Sequence, residues 1–191
     1  MQTAAVATTL WLIWYLARLG NADKRTKAGW LLLALFLSYI AVDDGAMIHE
    51  RIGTAFKHNN ASLTLPSYGW QFIMGPVFAI MGLTMIIFLW KRGSTAIRRD
   101  WLVIAFTCMT LAIALDFVEG MENGYQALTN QTGWRVKTIT HFSKSLEEFL
   151  EMLGMSILLM TFLDHLGYLL ERIQVSISGT KVTVTQRKNP E

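Results

Sequence analysis

Carboxylates gather at matching ends of three apolar runs in this chain. Asp43, Asp44, His49 and Glu50 close one run, Asp116, Glu119 and Glu122 close another, and Glu147, Glu148 and Glu151 open a third. Ionisable groups at membrane depth are costly, so they tend to face a bundle interior and mark a site. Several carboxylates meeting in a low dielectric must share protons, recruit Lys or Arg, or bind a cation. Carboxylate with imidazole across a helix bundle is the ligand chemistry of non-haem iron, manganese and zinc. The candidate metal ligands are therefore Asp43, Asp44, His49, Glu50, Asp116, Glu119, His141, Glu148 and Glu151. The expected cofactor is a divalent metal: iron, manganese or zinc. The Glu-x-x-His spacing of ferritin-type sites is absent, so the metal is left open.

Helical rise brings these groups to one depth. Asp43 lies about 20 Å beyond Trp30, Asp116 about 22 Å beyond Trp101, and Glu151 about 25 Å from the region of Tyr168. Asp43, Met47 and Glu50 follow an i, i+4, i+7 stripe, and Asp116 and Glu119 lie one turn apart. Glu148 and Glu151 share a face with His141, two turns earlier. Glu147 also pairs with Glu151, so the inward member of the double glutamate stays undecided. Glu50, Glu119, Glu122 and Glu147 equally suit solvated positions near the interface, and Glu147 and Glu148 suit a helix N-terminus.

Asp43-Asp44-x4-His49-Glu50, Asp116-x-x-Glu119 and Glu147-Glu148-x-x-Glu151-Met152-x-Gly154 resemble an uncharacterised group of bacterial multi-span membrane proteins. In that group one span ends in an Asp-Glu-x4-His-Glu-like pattern and a later one begins Glu-Glu-x-x-Glu-Met-x-Gly. Asp44 departs from it, standing where the pattern has Glu. The resemblance runs from the second expected helix through the fifth; it strengthens the site and brings no established activity.

The elements that must position these groups are membrane helices. Of 191 residues 52 % are apolar and only 16 % charged, well under the quarter typical of soluble domains. Apolar runs of spanning length separated by short polar loops predict an all-α integral membrane bundle. Five transmembrane helices are expected, over approximately Ala4–Leu19, Trp30–Met47, Trp70–Trp90, Trp101–Val118 and Leu146–Leu166. Pro76 marks an expected kink in the third. Residues 1–172 form the bundle and 173–191 a cytoplasmic tail. Alternation of Val175, Ile177, Val182 and Val184 around Gly179-Thr180 predicts a short C-terminal β-hairpin.

Lys24, Arg25 and Lys27, then Lys91, Arg92, Arg98 and Arg99, concentrate positive charge at alternate loops. The positive-inside rule then predicts an inner-membrane protein with its N-terminus outside and its C-terminus cytoplasmic. The formal charge of +3 is topogenic and needs no nucleic acid. The lone Cys108 excludes an internal disulfide and a cysteine-rich metal site. The expected partner is the lipid bilayer, and a membrane-protein partner or a second copy stays open. The leading reading is an outward-facing carboxylate/His cluster holding metal, with catalysis left open. A non-enzymatic accessory or assembly subunit and a proton or cation transporter are the alternatives.

Overall fold

The computed structural model describes residues 2–59, 65–92, 97–121, 123–171, 173–178 and 181–186. Glu122, the Gly179-Thr180 turn, Arg172, Arg187 and Lys188 lie outside the described residues. Eight helices occur among them. They are α1 (Gln2–Leu19), α2 (Lys24–Ala46), α3 (Ile48–Asn59), α4 (Gly69–Ile73), α5 (Gly75–Arg92), α6 (Arg99–Glu119), α7 (Gln126–Thr132) and α8 (Val136–Glu171). Two antiparallel strands follow, β1 (Ile173–Ser178) and β2 (Lys181–Gln186), with Val175 opposite Val184 and Ile177 opposite Val182.

The expected five-span bundle is corrected. Among the described residues four helices are long and apolar enough to cross a membrane: α2, α5, α6 and α8. The first helix is not one of them, because Gln2, Thr3, Thr8, Thr9 and Arg18 dilute its apolar content. It still packs along α2 and α8, burying Val6, Leu10 and Ile13 completely. The third expected span is also redrawn. It divides at Met74 into α4 and α5, and Pro76 sits in the first turn of α5, where its missing N–H has no partner to lose. Helix α8 begins ten residues before the expected span. Its 36 residues run about 54 Å, so it extends beyond a hydrocarbon core of about 30 Å.

Asp23 starts α2 by accepting the Arg25 and Thr26 N–H groups at 2.9 and 3.0 Å, a side-chain N-cap. The core lies on the basic side of the bundle. Trp30 is nearly sealed and meets Phe88, Phe162 and His165 at ring-centroid distances of 5.2, 6.3 and 5.0 Å. Helical hydroxyls are satisfied internally, as membrane depth demands: Thr107, Thr110 and Thr161 donate to carbonyls one turn back. Large apolar side chains left outside, such as Ile104, Ile113 and Met160, suit contact with lipid.

Candidate functional site

Asp43 is the anchor of the acidic end. It is buried, 3 % exposed, in the last turn of α2. Met47 then takes a left-handed conformation, φ 52°, and α3 begins at once in a new direction. That break folds His49 back onto Asp43. The His49 N–H donates to Asp43 Oδ1 at 2.9 Å, and ring Nδ1 stands 2.5 Å from Oδ2. Nδ1 is thus the ring nitrogen turned to Asp43, and Nε2 the one turned away. The ring lies edge-on to Trp70 at 4.7 Å.

Close backbone approach sets the next layer. A Cβ on Gly53 would stand 2.5 Å from the Trp70 nitrogen, and one on Gly69 would stand 2.8 Å from the Gly53 carbonyl oxygen. Glycine at both positions lets α3 and α4 touch. The Ser67 hydroxyl donates to the Phe117 carbonyl at 2.8 Å, and Gln71 Nε2 donates to Asp116 Oδ2 at 2.8 Å. The segment is thereby pinned to the end of α6, with Tyr68 between them.

Around Tyr68 the charges converge from α6 and α8. Lys144 is in electrostatic range of Glu119, Glu147 and Asp116, yet it makes no ion pair among the described residues. Glu151 is in range of Asp44 and Asp116, and Asp116 of His49 and Glu50. Burial, then the carboxylates of Glu119 and Asp116, push the Tyr68 phenol above its ordinary value, so it stays an O–H donor at neutral pH. Glu147 is 8 % exposed, and its Oε2 has no hydrogen-bond partner among the described residues. Glu119 Oε2 and Gln71 Oε1 are buried in the same condition. An unsatisfied buried acceptor costs about 1–3 kcal/mol, more if charged.

A cavity of about 1030 Å³ opens beside this group, with Glu50, Lys57, Tyr68, Trp70, Gly120 and Lys144 in its wall. Lys144 and Glu147 are three residues apart on one face of α8, and Gly120 adjoins Glu119. Glu119, Glu147 and Gln71 themselves stand behind this wall, next to the residues that form it.

The nine expected ligands divide. Asp43 and His49 form the buried pair, Asp116 takes Gln71, and Glu50 lines the cavity. Asp44 is exposed and accepts the Thr3 hydroxyl at 2.6 Å. Glu148 and Glu151 are exposed on α8. His141 is exposed too, with no side-chain hydrogen bond or ion pair among the described residues. Among the described residues no three His, Cys, Asp or Glu side chains are grouped to hold a metal ion. Lys144 brings positive charge within range of Glu119, Glu147 and Asp116. Glu147, Lys144, Tyr68 and Gln71 were not among the expected site residues. One signal pointed to Glu147: Ser143, Glu147, Gly154, Leu158, Thr161 and His165 form a continuous buried stripe at spacings of three, four and seven.

Four helices apolar enough to cross a membrane, with a polar cavity at one end, define the class as a multi-pass membrane protein. The chain matches the family described as Domain of unknown function (DUF8692) over residues 1–166 and belongs to it. The match takes in every acidic residue of the site and stops within α8. No curated protein and no solved structure matches the chain.

Proposed function

We propose that the protein binds a small organic cation, an amine or ammonium compound, in the cavity at its acidic end. One observation carries this reading: Glu147 is 8 % exposed and keeps an oxygen with no partner among the described residues, one helical turn from Lys144 in the cavity wall. The wall carries Glu50 against Lys57 and Lys144, and Asp116, Glu119 and Glu147 stand behind it within range of Lys144, so the wider surroundings are more negative than positive. An ammonium group brings the N–H donors that the orphaned oxygens lack. Tyr68 and Trp70 offer ring faces of the kind that attract organic cations. The cavity far exceeds the volume of a bare ion, and a divalent metal would need donors drawn together that now stand apart.

The same geometry favours binding over passage. Leu10, Ile13, Trp30, Leu33 and Phe162, each at most 2 % exposed, pack the bundle on its basic side. A relay or channel needs polar groups continuing across the membrane. The concentration of Lys and Arg at that closed end supports an inner-membrane protein with the cavity facing outward.

The test is thermal unfolding of the detergent-purified protein with spermidine, Mn²⁺ or Zn²⁺, against NaCl of equal ionic strength. Spermidine should raise Tm by several degrees at saturation, since a ligand at 100 times its Kd adds about 2.7 kcal/mol. Stabilisation by the metals alone would replace this reading with metal binding. No shift with any of them would remove cation binding altogether.

A further inference from the structure

We infer that the groove between α5 and α6 holds an anionic phospholipid, its phosphate at Lys91 and Arg99. These consecutive helices do not pack along each other; α5 rests on α4 and α2, and α6 on α8. Between them lies a cavity of about 350 Å³ whose wall includes Ile86, Trp90, Leu102, Phe106, Thr107 and Leu111. It follows α6 from Leu102 to Leu111, about 14 Å along the axis.

The groove is apolar in effect as well as in composition. The Thr107 and Thr110 hydroxyls donate to the Val103 and Phe106 carbonyls, both at 2.8 Å, so no free donor faces it from them. Both helices are candidate membrane spans, which puts the groove at acyl-chain depth. Hydrocarbon is its natural filler, because water there would find no partners.

The mouth supplies the headgroup chemistry. Trp90 closes the groove at the basic end, and the Arg99 guanidinium lies 5.0 Å from its ring centroid. Neighbouring cations are already engaged: Arg92 pairs with Asp23 at 3.0 Å and Arg98 with Asp100 at 2.5 Å. Lys91 and Arg99 make no ion pair among the described residues and are exposed, Arg99 over the Trp90 ring at the mouth and Lys91 next to Trp90 in sequence. Arg offers a planar fork for phosphate oxygens, and Lys a point charge. Basic pockets between membrane helices recognise anionic lipid heads in this way. An acyl groove with a cationic mouth selects one lipid class.

Native mass spectrometry of the full chain, titrated with phosphatidylglycerol or phosphatidylcholine, tests this. The wild type should retain phosphatidylglycerol about tenfold more strongly. The K91A/R99A double variant should lose that preference, and Thr107→Trp, which fills the groove, should lose both lipids. Inorganic phosphate should not compete, since the chain supplies half of the site. Equal retention of the two lipids, a double variant that matches wild type, or displacement by free phosphate would overturn the proposal. So would a dimer that dissociates with Thr107→Trp and takes up no lipid, because a second copy would then fill the groove.

Discussion

The carboxylate of Asp43, buried at the end of a membrane helix, has a partner on each oxygen, and His49 provides both. Replacing Asp43 with Ala strands the His49 N–H and ring Nδ1 together. The expected loss is about 2–4 kcal/mol, read by chemical unfolding in detergent micelles; a change under about 0.5 kcal/mol would mean that water serves His49 equally well. This pairing was only half legible. Both residues stood out in the sequence, but a continuous helix sets i and i+4 or i+7 together, and the contact is i to i+6. Left-handed Met47 makes it possible, and nothing in the residue type of Met announces that conformation. Glu147 against Glu148 was decidable in principle, since only Glu147 falls on the stripe that runs from Ser143 to His165.

Elements here are joined at close contacts and caps. Gly53 touches Trp70 backbone-to-backbone, and neither side can retreat without separating α3 from α4. Gly53→Ala should cost about 1–3 kcal/mol and lower affinity for any occupant of the cavity, measured by unfolding and by ligand titration together. A Gly53→Ala protein as stable as wild type would show that α4 shifts freely. Asp23 joins two elements, capping α2 and pairing with Arg92 of α5. Its hydrogen bonds from Thr26, with the Arg92 charge, hold its carboxyl below the ordinary 3.8. A folded value below the unfolded one gives stabilisation present above the unfolded value and lost as pH falls through the folded one. Asp23→Ala should therefore lower Tm at pH 7, with the gap to wild type closing well below pH 3.8. A gap independent of pH would assign the effect to lost packing. At this scale the long apolar helices were legible from length and composition. The first was overcounted because apolar packing inside a bundle and apolarity facing lipid look alike in a short run. The split at Met74 was hidden because Pro suits a helix start as well as a kink.

At the scale of the molecule, charge and burial divide between the two ends. The basic end is dry, packed around Trp30 and Phe162, whereas the acidic end carries the cavity and the unsatisfied oxygens. The carboxylates were readable in the sequence as a layer because helical rise alone fixes depth. The balancing Lys144 was not, since charge near a layer is set by which loops and helix faces turn toward it. Organic cation binding is the central claim, and equilibrium dialysis of labelled spermidine against wild type and Glu147→Gln tests it most directly. The amide keeps the shape of Glu147 and removes its charge. Saturable binding of about one spermidine per chain is expected, weakened about tenfold or more in the variant, the effect of losing one charge-assisted hydrogen bond. Absence of saturable binding, or equal affinity in the two proteins, would contradict it.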